Sequence, residues 1–232
     1  MEFMRAKFPA ALALLVGILL PTDYLLEAQT QSTAGLMNRI GIENSEELAK
    51  MISDPNIRIQ DKEEAVFRMG ELSRQLPSHP EISPSKLFNP LLGVLIPQSS
   101  VQDHHILRVA ACNALGRFAG QDGAESIVQP LGKVVRNQEE KEEVRMAAGL
   151  ALSRFYKNSA AAASEELIAA LNQEVDRGAH ADNVRVTTQI VVSLGMLGDR
   201  RAFVPLMRVL RSNFPTDTKN KAQEALERIR WQ

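Results

Sequence analysis

Aromatic residues make up only 5% of this 232-residue chain, which also holds one cysteine, one tryptophan and four histidines. Each scarcity excludes something. A single thiol, Cys112, cannot form an intramolecular disulfide, a zinc cluster or a CxxC redox pair. In "VAACNAL" it reads as a compact apolar filler on a small-residue helix face. A core of Ala, Leu, Val and Ile with few rings suits closely packed helices better than a β-sandwich. Charge of one sign is missing too, with 27 basic against 28 acidic side chains. A nearly neutral chain lacks the footprint that nucleic acid or an anionic membrane surface would require, so neither is expected as a partner.

The motifs of chemistry are absent as well. There is no HExxH and no G-x-S-x-G. "GRFAGQDG" (116–123) matches neither G-x-G-x-x-G nor a P-loop and reads as a helix end and turn. His104 and His105 are adjacent, so on a helix they point about 100° apart and do not chelate one ion from one face. The acidic run "NQEEKEEVR" (137–145) reads as a solvated loop and a first helical turn, where glutamate suits the helix dipole. The sequence identifies no reaction; no catalytic residue, metal or cofactor is expected.

What is present begins with "MEFMRAKFPAALALLVGILLPTDYLLEA" (1–28). Arg5 and Lys7 precede an apolar run over 8–20, Pro21 breaks it, and Ala28 closes it, which is the order of a secretory signal. Thirteen helical residues reach about 20 Å, short of the roughly 30 Å of bilayer hydrocarbon. Cleavage near Ala28 is expected, placing the mature chain in the periplasm or secreted, with membrane contact only if the segment stays uncleaved. "QTQSTAG" opens a polar linker over 29–44.

The remainder repeats. "LRVAACNALGRF" (107–118) and "VRMAAGLALSRF" (144–155) match at most positions. "DKEEAVFRMGEL" (61–72), "VTTQIVVSLGML" (186–197) and "TKNKAQEALERI" (218–229) superpose on them. The shared anchors are Met69, Leu115, Leu152, Leu194 and Leu226. Apolar residues at i, i+4, i+7, i+8 and i+11, such as Leu107, Ala111, Ala114, Leu115 and Phe118, make one amphipathic stripe per copy. A second set of helices lies between them, carrying "NPLLGVL", "QPLGKVV" and "FVPLMRVL". Pro90, Pro130 and Pro205 align, with Ala170 in the slot of the copy that lacks one. Proline is tolerated in a first helical turn, so the three are expected to mark where each second helix starts. Asp199 is expected to cap a tight turn ahead of regular helix from about Ala202.

"SLGMLGDRRAFVPLMRVL" (193–210) resembles HEAT repeats of the short, phycobilisome-lyase-like variety. The shared marks are Ala-Leu-Gly or its like closing the first helix, Gly-Asp in the turn, and Pro-Leu opening the second. The resemblance implies an all-α fold, an α-solenoid of about four hairpins over 61–96, 103–136, 142–176 and 182–212. A cap helix over 45–52 precedes them, and a terminal cap over 216–230, with Trp231 closing the last edge, follows. Linkers are expected at 77–84, 97–103 and 158–164. Thr187 departs from the pattern, standing where Arg108 and Arg145 stand in earlier copies.

In such solenoids the second helices line the concave side where partners bind. On the proline register the non-core positions there are Gln129, Lys133 and Arg136, then Asn172 and Gln173, then Arg208 and Arg211. These form an expected protein-binding stripe. The function that follows is an exported, non-enzymatic scaffold for protein–protein contact in a cell-envelope assembly. Two rivals stand beside it: a repeat-fold lyase or chaperone acting on another protein, and an adaptor held to the membrane by an uncleaved signal.

Overall fold

The computed structural model describes residues 40–96 and 104–230. The expected signal, most of the expected linker ahead of residue 45, the expected linker 97–103 and Trp231 lie outside the described residues. Within them all regular structure is helical. In chain order the α-helices are α1 (Ser45–Ser53), α2 (Ile59–Leu72), α3 (Ser85–Leu95), α4 (His105–Leu115), α5 (Glu125–Arg136), α6 (Glu142–Leu152), α7 (Ala160–Arg177), α8 (Val184–Leu197), α9 (Phe203–Arg211) and α10 (Thr216–Arg230). None is long and apolar enough to cross a membrane.

The substantial contacts form two runs. One passes from α2 through α4, α6 and α8 to α10, each helix against the next. The other passes from α1 through α3, α5 and α7 to α9. Contacts of α3 with α4, α5 with α6, α7 with α8 and α9 with α10 join the runs. The stripes read from the sequence supply the shared interior. Leu107, Ala111, Ala114, Leu115 and Phe118 are buried, as are Val144, Ala148, Ala151, Leu152 and Phe155. So are all five anchors. A lone two-helix unit cannot offset the ordering of its 35 or so residues, but neighbours that share a face can.

In the first run the helices approach through their smallest residues. The residue after the anchor is Gly70, Gly116, Ser153 and Gly195 in successive copies, and the residue before it is Ala114, Ala151, Ser193 and Ala225 in the copies that follow. A methyl group added to Gly70 would lie 2.9 Å from the Ala114 Cβ, one on Gly116 would lie 3.1 Å from the Ala151 Cα, and one on Gly195 would lie 2.8 Å from the Ala225 Cβ. Ser153 and Ser193, at the remaining junction, are both buried. One small-against-small contact thus recurs along the row and sets a close spacing between axes.

Two of the three prolines sit deeper than the sequence reading places them. Pro90 and Pro130 are each the sixth residue of their helix, in the second turn rather than the first. These helices begin a turn earlier than expected, and that turn is tight. Ser126 N–H donates to Gly123 O at 3.1 Å and Ile127 N–H to Ala124 O at 3.0 Å, while Lys86 and Leu87 do the same with Ser83 and Pro84 at 3.0 Å. In α9 the equivalent turn is a separate 3-10 helix, Arg200–Ala202, started by Asp199, whose carboxylate accepts from Arg201 N–H at 2.9 Å. Pro205 is the third residue of α9, in its first turn as expected. Counted from Arg200 it is sixth, so the three prolines share one structural place, and the difference lies in whether the tight turn before it joins the helix.

Two further boundaries moved. Residues 158–164 are not a linker, because α7 starts at Ala160. Four consecutive alanines are among the best helix formers, and no proline in the Ala170 slot limits the helix. Ile40 and Ile42 are buried and Arg68 donates to the Ile40 carbonyl at 3.0 and 3.2 Å, so the packed part of the chain starts before residue 45. The turn after α6 lacks glycine. Lys157 takes the left-handed conformation there, φ 54°, at the place where the preceding copy has Gly120, φ 83°.

The small-residue contact makes a paired prediction. Gly195→Val should destabilise the protein by about 1–3 kcal/mol through overpacking against Ala225. Gly93→Ala, on an exposed face of α3 with nothing within 4 Å of the new methyl, should stabilise by up to about 1 kcal/mol through helix propensity. Urea denaturation of the two variants, read by circular dichroism, checks both signs.

Candidate interaction surface

The seven residues of the expected binding stripe fall on α5, α7 and α9, but they do not form a basic strip. Gln129 and Lys133 on α5 and Arg211 at the end of α9 are exposed. The other four are engaged within the chain. Arg136 is paired with Glu166 of α7, and Gln173 donates to the Arg136 carbonyl at 3.2 Å. Arg208 reaches back from α9 to Asn172 at 2.9 Å and to Asp176. Arg201 also reaches back, to the Ala161 carbonyl at 2.8 Å. Arg136, Asn172, Gln173 and Arg208 are thus polar ties between successive helices, while Gln129, Lys133 and Arg211 stay exposed. Spacing shows which helices carry these side chains, but not which partner each arginine meets.

A second set of ties runs on the other helices. Arg108 of α4 holds Glu140, in the loop before α6, with two bonds of 2.8 and 3.0 Å. Arg117 lies between Glu71 of α2 and the Phe67 ring, 4.9 Å from its centroid. Arg154 donates to the Asn113 carbonyl at 3.3 Å.

The deepest polar group escaped the sequence reading altogether. Arg145 of α6 is 2% exposed and Glu174 of α7 is fully buried. The guanidinium Nε donates to the Val135 carbonyl at the end of α5 at 2.9 Å, and another guanidinium nitrogen is paired with Glu174. The second Glu174 oxygen accepts from Asn183 at 2.9 Å and from Arg177 at 3.1 Å. Asn183, also fully buried, donates to the Gly178 carbonyl at 2.9 Å and accepts from His180 N–H at 2.9 Å. Every charge in the group has a counter-charge and further hydrogen bonds, the condition under which burial is tolerated. Four helices, α5 to α8, are fastened at one point. The only signal in the sequence was Arg145 repeating Arg108 in an apolar setting. Thr187 occupies that slot in α8, buried, and its Oγ1 has no hydrogen-bond partner among the described residues.

Of the reactive groups, Cys112 is buried and its sulfur lies 4.0 Å from the Val144 carbonyl. Burial pushes its thiol up to about 12. No group of three or more metal-ligating side chains occurs among the described residues. A shallow groove of about 220 Å³ between α8 and α10 is lined by Val192, Gly195, Lys221, Glu224, Ala225 and Arg228. The exposed large apolar residues include Met196 on α8 and Phe203 and Val204 at the start of α9. No known protein family matches the sequence, and no curated protein is similar enough to it to mark a relative.

Two outcomes are expected. Glu174→Gln leaves the Arg145 charge buried without a counter-charge and should cost about 3–5 kcal/mol, whereas Arg145→Met with Glu174→Leu should recover much of that loss; equilibrium denaturation of the three proteins checks it. For Cys112, an aromatic disulfide reagent at pH 8 should leave the native thiol unmodified and react once urea unfolds the chain. The sign follows from the raised thiol. Its stabilising contribution is full below the ordinary thiol range and is lost as pH climbs from there toward about 12.

Proposed function

We propose that this chain is an exported, non-enzymatic α-solenoid of HEAT-like hairpins that serves as a binding scaffold in a protein assembly of the cell envelope. The observation that carries the reading is the recurring junction. The same small-residue contact joins α2 to α4, α4 to α6 and α8 to α10, and arginine ties repeat between the hairpins that these helices open. Units joined in register to their neighbours support a repeat array, and a rigid array presents a surface that loses little entropy when a partner docks. The charge order of residues 1–28 supports export.

Affinity purification of the tagged full chain from envelope fractions should recover a protein partner at constant stoichiometry. Recovery of none would count against the scaffold. N-terminal sequencing of the exported chain should begin at Gln29; a start at Met1 would instead support a tether.

A further inference from the structure

We infer that the forward side of α9, centred on Phe203, Met207 and Arg211, docks an acidic amphipathic helix from a different protein. The inference goes beyond the scaffold reading, because it names one face and the chemistry that fits it, and it stands on the row of helices α3, α5, α7 and α9.

Each helix of that row turns one side toward its successor. On the proline register the first residue of that side is Phe88 in α3, Val128 in α5, Ile168 in α7 and Phe203 in α9. Phe88 is 3% exposed, stacked edge-on against Phe118 at 5.9 Å, with Gly123 ahead of α5 beside it. Val128 is 2% exposed. Ile168 is half-buried and packs on the core. Phe203 is 44% exposed. One turn on stand Leu92, Gly132, Asn172 and Met207. Gly132 lies against Glu166 of α7, and Asn172 accepts from Arg208 of α9. So in α5 and α7 the positions one turn on face the next helix. At α9 the chain turns into α10, which packs on α8 and α9 and joins the other run. Among the described residues no helix follows α9 in its own row. On its forward side Phe203 is exposed and Met207, half-buried, packs also on the core, where a terminal unit ordinarily presents a polar outer face.

The charge at the end of this side selects the occupant. The third position of the forward side is Ile96 just past α3, Arg136 in α5, Asp176 in α7 and Arg211 in α9. Arg136 is paired with Glu166 of the next helix, and Asp176 with Arg208 of the next. The two junctions nearest α9 thus each join one acid to one base, while at α3 the position is apolar and exposed. Arg211 is exposed, with no ion pair among the described residues. The complementary helix therefore carries an apolar stripe for Phe203 and Met207 and a carboxylate for Arg211. A second copy meets this specification poorly. Its own α9 brings an arginine to an arginine, its α1 exposes Glu46, Glu47 and Lys50 with no large apolar side chain, and on its α2 the exposed Phe67, one turn from Glu63, already carries Arg117 over its ring.

The test places a benzophenone amino acid at position 203 of the full chain and irradiates the cells that make it. The expected result is an adduct with another protein, mapping to an amphipathic helical segment that holds an aspartate or glutamate. Arg211→Glu should lower the adduct yield about tenfold or more. Reversing the mapped carboxylate to arginine should restore it, and Lys86→Glu, exposed at the start of α3 at the far end of the row, should leave it unchanged. Thermal melts establish that each variant is folded. An adduct with a second copy, with the chain itself or with a non-helical segment overturns the inference. So does the absence of any adduct, or a yield indifferent to Arg211→Glu. Partners recovered by affinity purification without an adduct at position 203 overturn this face alone; an adduct formed by unexported chain supports the face and overturns export.

Discussion

Contact between glycine and alanine across neighbouring helices is the constraint from which the rest of the structure follows. Where Gly70 meets Ala114, and Gly195 meets Ala225, there is no room for one more carbon atom. Axes held that close bring the anchor leucines on either side within packing distance of two neighbours at once. Dispersion and burial then come from many ordinary side chains. Large residues at these junctions would separate the helices and open the same leucines to water. This accounts for the composition: the alanines are spacers of fixed thickness, and rings would be too thick for the place.

Close spacing leaves the polar backbone ends and the hairpin loops near one another, and the arginines use that nearness. Arg108 reaches forward to Glu140, ahead of the next hairpin, while Arg145 and Arg208 reach back, to the Val135 carbonyl and to Asn172. Exposed ties of this kind contribute little individually. The Arg145–Glu174–Asn183 group differs because water is excluded from it, so a wrong register would strand a charge. Its value lies as much in refusing alternative stackings as in strengthening the chosen one.

How much of this was legible in the sequence depends on the range of the interaction. The stripes of Leu107 to Phe118 and Val144 to Phe155 were legible because helical periodicity is local, and so was Asp199 as a cap, since its partner is two residues away. The depth of Pro90 and Pro130 was not, because the tight turn ahead of each leaves no mark in composition. Lys157 gave no warning of its left-handed conformation, as lysine rarely adopts it. The alanines of 160–163 read as a spacer only because small residues are ambiguous between linker and helix. The partners of Arg136 and Arg208 lie 30 or more residues away, and the buried group draws on four helices. Single-chain patterns carry no record of such pairings, so a strip that looked uniformly basic proved to have Arg136 and Arg208 neutralised.

The order of contacts also bears on mechanics. Each helix meets chiefly its neighbours one and two places along, so a load on α1 is handed to α10 through the junctions between them, and the softest junction yields first. The buried knot that joins α5 to α8 makes the middle of that path the hardest to part.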